Sequence, residues 1–247
     1  MLSIVMPILI VHPVIERMTL ETIDSVYKTT LGEWELILVV HGETPLHFKC
    51  FYPRVQMVYN KERMAISEAY NLGFKQAKGD IFCCLHNDVM LPFGWNYLMD
   101  QVAREGNISF PMLKEEKEFC RLRGIIPTEP WQTPACCFMF SRDLWDRLGG
   151  YDEQFKEMHG EDIDLFKRAE DMGVKLVRCD VEVYHRRGAT RALVSDGGGK
   201  AFIDNWNKYY FKHRKQPGEV LNLPRVNERP EVFHNYKKEV SFDERHS

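Results

Sequence analysis

The sequence predicts an α/β protein with a mostly parallel, doubly wound central sheet flanked by helices. Three observations carry this expectation. Short apolar runs of strand length, "LSIVMPI", "WELILVV" and "DIFCCLH", recur along the first part of the chain; unbroken runs of this kind belong to strands covered on both faces. Segments with helical periodicity separate them, and the resulting β-α-β-α-β rhythm implies parallel pairing through crossover helices. The 247 residues are 44% apolar and 12% aromatic, enough for one large domain with a substantial core.

The elements follow in order. The opening "MLSIVMPILIVHPVI" has no positive residue ahead of its apolar part and no small-residue cleavage pattern. Pro7, His12 and Pro13 interrupt it well short of the ~20 residues that a membrane span requires. The expectation is a buried strand over residues 2–8, no membrane span and a cytoplasmic protein. "ERMTLETIDSVYKTT" places Met18, Ile23, Val26 and Tyr27 on one helical face. "WELILVV" and "VQMVYN" are the second and third strands. "ISEAYNLGFKQAKGD" is a helix with Ala69, Leu72 and Gln76 on one side and Gly79 near its end. "DIFCCLH" is a buried strand, and "PFGWNYLMDQVARE" a helix with Pro92 in its first turn.

The second half is less regular. "ACCFMFS" reads as a strand, and "SRDLWDRLGG" as a short helix capped by Ser141 and closed by Gly149 or Gly150. "GEDIDLFKRAEDMG" is the clearest helix, with Ile163, Phe166 and Ala169 on one face and Gly173 as its stop. "VKLVRC" is a strand with "VEVYH" paired nearby, and "AFIDNWNKYYFKHRK" a final helix. Beyond Pro217 the chain is polar and proline-interrupted, so the domain is expected over residues 1–215 and a polar extension over 216–247.

Composition removes some function classes. The net charge of -3 argues against coating nucleic acid or anionic membrane by charge alone. The seven cysteines show no CxxC spacing, and Cys83-Cys84 and Cys136-Cys137 lie in apolar runs. That pattern fits buried, reduced thiols rather than a zinc cluster or a disulfide framework. There is no G-x-G-x-x-G after the first strand, which argues against a dinucleotide oxidoreductase, and "SDGGGK" lacks phosphate-loop spacing.

Two stretches carry chemistry. In "CCLHNDVML" an apolar strand ends abruptly on His86, Asn87 and Asp88. Ligands of open α/β sheets bind outside such strand ends, and a carboxylate there suits a hard divalent cation. The plainer alternative is that Asp88 caps the helix near Pro92. In "GEDID", Glu161, Asp162 and Asp164 open a helix. The positive helix end accounts for one acid more easily than for three, and Asp164 lies about 200° round the helix from Asp162.

In their order, "SIVMPI", "WELILVVHGE", "MAISEAYNLGFKQAKGDIFCCLHNDV", "GGYDEQF", "GEDIDLFKRAEDMGVKL" and "VYHRRGA" resemble a family 2 glycosyltransferase of the GT-A fold, in its rhamnosyltransferase-like branch. The resemblance covers about residues 1–215. It implies a single Rossmann-like domain and an inverting transfer of a sugar from a nucleotide-diphosphate sugar to an acceptor hydroxyl, with a glycan expected ahead of a nucleic acid. It also implies a divalent metal, Mn²⁺ favoured over Mg²⁺, on the donor diphosphate. The metal motif of the family is often Asp-x-Asp; here only Asp88 matches, with His86 as a substitute ligand and His185 of "VYHRRG" as a further one. Imidazole ligands suit Mn²⁺ better than Mg²⁺. Asn87, Arg186 and Arg187 are implied at the donor, the arginines on its diphosphate. The resemblance places the general base at the start of the acidic helix, with Asp162 chosen ahead of Glu161.

For the nucleoside the resemblance points to Pro7, Ile8, Met64 and Asn71. His41 stands where the family usually carries an Asp, with Glu43 as its replacement. Trp131 is a candidate for stacking on a sugar or for the core. The competing reading is a non-catalytic nucleotide-sugar-binding protein of the same fold. A nucleotidyltransferase is disfavoured because "PILIVHPVIER" has no glycine-rich loop.

Overall fold

The computed structural model describes residues 1–42, 44, 53–114, 135–157, 160–186, 204–205, 208–209 and 212–213. Glu43, Trp131, Arg187, residues 195–200 and the extension 216–247 lie outside them. The chain divides into two units, Met1–Tyr210 and Phe211–Ser247; of the second, only residues 212–213 are described, both helical.

In chain order the elements are β1 (Leu2–Ile8), α1 (Pro13–Thr29), β2 (Trp34–His41), β3 (Val55–Asn60), α2 (Ile66–Gln76), β4 (Ile81–Leu85), β5 (Val89–Met90), α3 (Asn96–Arg104), β6 (Ile108–Leu113), β7 (Cys137–Ser141), α4 (Arg142–Leu148), α5 (Glu161–Asp171) and β8 (Leu176–His185). The strands form one mixed sheet in the order β3-β2-β1-β4-β7-β6-β8-β5. β1 lies between β2 and β4, parallel to both, and β3 runs parallel to β2. β7 is antiparallel to β4 and β6, and β8 is parallel to β6. The parallel half is therefore the one read from the apolar runs, and antiparallel β7 joins it to the rest. The order of connection reverses at β1, which leaves a crevice beyond the carboxyl ends of β1 and β4.

Alternation along the strands builds the core. Val5, Ile37, Val39, Phe82 and Cys84 face one side, with Tyr70 and Phe74 of α2, Leu144 of α4 and Phe166 of α5 packed on them. α2 lies close to the sheet because Gly73 leaves no side chain there: a Cβ would come within 2.3 Å of Val5 Cγ1. This sets the helix face at Ala69, Tyr70, Gly73 and Phe74, not at Ala69, Leu72 and Gln76; Gln76 is exposed. The helix stops at Ala77, ahead of Gly79.

Other elements depart from expectation for local reasons. α1 starts earlier, at Pro13, with the His12 imidazole accepting from Val14 N as its cap. Tyr27 sits at the helix margin, edge-on to Trp34. α3 begins only at Asn96, so Pro92 lies in the turn before it and Asp88 does not cap it. "VKLVRC" and "VEVYH" are one strand: Asp180, Glu182 and Tyr184 face out while Cys179, Val181 and Val183 face in. α4 has the caps the sequence announces, Ser141 Oγ accepting from Leu144 N and Gly149 in the left-handed region. No helix among the described residues is long and apolar enough to cross a membrane.

Candidate active site

The chemistry-bearing residues gather where β4, β5, β7 and β8 meet. His86 N donates to Cys136 O at 2.8 Å, and Arg186 N donates to Asp88 O at 3.0 Å. Val89 of β5 pairs with His185 of β8. These backbone ties bring the end of β8 against the polar end of β4. The ligand atoms of His86, Asp88 and His185 all lie within 4.8 Å of one another. His185 Nε2 is 3.1 Å from Asp88 Oδ1, and the two imidazole rings meet edge-on at 5.7 Å.

The three groups fit a divalent cation. Asp88 Oδ1 is buried, with His185 Nε2 at 3.1 Å. A buried carboxylate oxygen of this kind is costly unless a cation satisfies it. Burial pushes the His86 pKa down to about 4, against the pull of Asp88, so its lone pair is available at neutral pH. Burial also opposes protonation of His185, but the neighbouring Cys136 and Asp88 outweigh it and lift its pKa to about 10.

The Asn87 side chain turns the other way. Its amide donates to Thr19 Oγ1 at 2.9 Å, and the Asn87 backbone carbonyl accepts from Thr22 Oγ1 at 2.9 Å. It pins the strand end to α1. Arg186 pairs with Glu21 of α1 at 2.5 Å.

α5 begins beside the same strand. Gly160, with φ of 92°, turns the chain into the helix. Asp162 is partly buried, and its Oδ1 accepts from Ile163 N at 2.8 Å. Burial raises its pKa above the usual carboxylate range, and hydrogen bonds from backbone N–H groups oppose the shift. Its charge acts on the Cys84 thiol and the Tyr151 phenol, which lie 3.5 Å apart. Glu161 is buried. Asp164 points into the protein and binds Arg168 Nε at 2.8 Å, while Arg168 also donates to Leu148 O and Gly150 O. This staple between α5 and the end of α4 went unread in the sequence, although the i,i+4 spacing of Asp164 and Arg168 was its signal.

The expected nucleoside contacts are placed differently. Ile8 is fully buried and Pro7 is buried, both in β1 beside β2. His41, also buried, accepts from Met64 N at 3.1 Å through Nδ1 and so ties the end of β2 to the segment before α2. Burial, helped by the charge of Arg63, lowers its pKa to about 4. Asn71 is held by the loop that follows α4: its amide donates to Tyr151 O at 3.0 Å and its carbonyl accepts from Tyr151 N at 2.9 Å.

Comparison with known proteins agrees with this architecture. Residues 3–112 match the glycosyl transferase family 2 model, and residues 126–189 match the model for the N-terminal domain of galactosyltransferase. A crystal structure of GalNAc-T7 with UDP, GalNAc and Mn²⁺ superimposes with a TM-score of 0.66 at 17% identity, over 85% of this chain and 47% of that one. The mannosyltransferase PcManGT from Pyrobaculum calidifontis, in complex with GDP-Man and Mn²⁺, gives 0.62 at 17% identity, over 87% and 65%. The chain thus spans about half and just under two thirds of these neighbours. No curated protein matches the sequence at a significant level. Fold and matches agree on the architecture: the mixed α/β sheet of the GT-A fold. The family 2 match covers 3–112 and leaves the second half of the chain to the galactosyltransferase model.

Proposed function

We propose that the protein is an inverting glycosyltransferase, moving a sugar from a nucleotide-diphosphate sugar to an acceptor hydroxyl. One observation carries the reading: an Asp-His-His cluster at the end of β4, with the carboxylate-bearing start of α5 against the same strand. A divalent ion bound there supplies positive charge to the departing diphosphate, and His86, Asp88 and His185 are the residues that hold it. Two imidazoles beside one carboxylate favour Mn²⁺ over Mg²⁺, and both structural neighbours carry Mn²⁺ and a nucleotide or nucleotide-sugar. Arg186 is close enough to the cluster, through its backbone bond to Asp88, to turn toward the diphosphate. The rhamnosyltransferase-like branch and a glycan acceptor belong to the same proposal and rest on the motif order in residues 1–215.

Asp162 serves as the base. A raised pKa brings a carboxylate nearer the basicity a hydroxyl proton demands, and general-base help is worth ~10²–10⁴-fold. Asp162→Asn keeps the shape and lowers turnover by about that factor, with donor affinity unchanged. Glu161→Gln costs less. The product anomer, read by NMR against that of the donor, reports the stereochemistry. Retention of configuration overturns the inverting assignment. Donor affinity without turnover, under every acceptor tried, identifies a nucleotide-sugar-binding protein instead.

A further inference from the structure

A ladder of hydrogen bonds joins α2 to the loop after α4. Asn71 grips Tyr151 by both backbone groups, and its amide also reaches Glu153 Oε1 at 2.8 Å. One turn earlier on the same face, Ser67 Oγ donates to Phe155 O at 3.0 Å, and Ile66 N donates to Glu157 O at 3.0 Å. Glu68 pairs with Lys156. The loop is shaped to receive this grip. Gly150 has φ of 80°, and a Cβ there would come within 2.8 Å of Asn71 Oδ1. At the far end, a Cβ on Gly160 would come within 3.1 Å of the Phe155 ring. Gly160 is the residue before Glu161 and Asp162.

The same loop carries Tyr151, whose phenol feels the Asp162 charge. The Tyr151 ring is stacked on Tyr70 at 5.4 Å, and its hydroxyl meets Cys84 Sγ at 3.5 Å. Fixing the Tyr151 backbone fixes that ring. The path therefore runs from the Asn71 amide to Tyr151, along the loop to Phe155, and through Gly160 to the start of α5.

We infer that Asn71 is a positioning residue, which holds the Gly150–Glu157 loop and thereby sets the place and the surroundings of the Asp162 carboxylate. The inference rests on the reading of Asp162 as the base. Among the described residues, the Cys84 thiol of β4 and the Tyr151 phenol of the loop feel the Asp162 charge. Burial pushes both well up, so at neutral pH they stay uncharged. What they give the carboxylate is a poorly solvated setting, and that setting depends on the loop staying closed.

Asn71→Asp keeps the acceptor for Tyr151 N, loses the donor, and sets a carboxylate against Glu153. The loop should loosen and let water reach Asp162. A displacement of about 1 Å at the reacting groups costs up to ~10²-fold, so kcat falls by that order while donor KM stays put. The acidic limb of the kcat–pH profile moves to lower pH, because a better solvated carboxylate titrates lower. Adding Glu153→Gln to Asn71→Asp supplies a donor to the new carboxylate and should restore part of kcat. Glu153→Ala alone, at an exposed position, removes one of the three bonds without threatening the fold, and should shift the limb the same way by less. An unmoved acidic limb in Asn71→Asp or, where that variant does not fold, in Glu153→Ala overturns the inference; so does a parallel loss of kcat and donor affinity. Undiminished turnover in Asp162→Asn is a separate outcome: it removes the base assignment on which the inference stands.

Discussion

His185 Nε2, at the end of β8, lies 3.1 Å from Asp88 Oδ1, just past the end of β4. Two strands from opposite halves of the chain thus present an imidazole and a carboxylate to one point, with His86 beside them. If that point binds a cation, Mn²⁺ stabilises the folded protein by mass action, by about 2.7 kcal/mol at a hundredfold excess over Kd. Asp88→Ala should abolish the Mn²⁺-induced rise in melting temperature, and His185→Ala and His86→Ala should reduce it. Transfer should stop in excess EDTA and return with Mn²⁺ more fully than with Mg²⁺. A melting shift that survives in Asp88→Ala, or transfer that is indifferent to EDTA, removes the ion from the mechanism.

His41 makes stability depend on acidity. Its folded pKa is about 4 against 6.5 for the free side chain. Between those values the unfolded chain binds a proton that the folded one does not, so stability is full above pH 6.5 and falls as the pH drops toward 4. The loss is on the order of 3 kcal/mol at its limit, and His86, lowered to about the same value, adds in the same sense. His41→Asn retains an acceptor for Met64 N and cannot titrate. Urea unfolding at pH 7.5 and pH 5 should show a smaller acid penalty in the variant than in the wild type. An equal penalty in both would mean that His41 is protonated without cost in the folded state.

Much of this arrangement is written locally. β1, β2, β3 and β4 are apolar runs that no other element type explains, and α4 announces both of its ends through Ser141 and Gly149. The polar end of β4 and the acid-rich start of α5 were visible because charge interrupts an apolar pattern there. What stayed hidden depends on distant partners. β6 contains Pro111, which reads as a breaker; the structure accommodates it at a register shift against β8 between Phe110 and Met112. β5 has two residues and exists only because β8 lies beside it. Asp180 looks like a break in β8 until the sheet shows that it occupies the outward side.

The same limit applies to the site. Asn87 and Asn71 stand in motifs that suggest a ligand, yet an asparagine amide serves a backbone or a hydroxyl equally well, and only the packing of α1 and of the 150–157 loop decides between them. Pro7 and Ile8 follow the same logic: sequence position puts them at a strand end, and only the packed sheet shows that both are buried.

The Arg186–Glu21 pair gives the last prediction. The guanidinium sits 2.5 Å from the Glu21 carboxylate, with both side chains partly exposed, and Arg186 N is bonded to Asp88 O. A partly exposed pair of this kind contributes little to stability, so exchanging Glu21 for a donor diphosphate costs little and gains charge-assisted hydrogen bonds to phosphate oxygens. Two opposite effects follow. Arg186→Gln removes the cation and should weaken donor binding about tenfold, the worth of one hydrogen bond to a charged group. Glu21→Gln removes the competitor and should tighten it. Salt separates this from a change of shape, because screening weakens charge pairing between exposed groups. The decline of donor affinity with added KCl should be shallower in Arg186→Gln than in the wild type. Titration calorimetry with the donor in Mn²⁺, at low and high KCl, measures all three proteins. Should Glu21→Gln weaken binding as Arg186→Gln does, the pair is a fixed support for the end of β8 and the guanidinium does not turn to the donor.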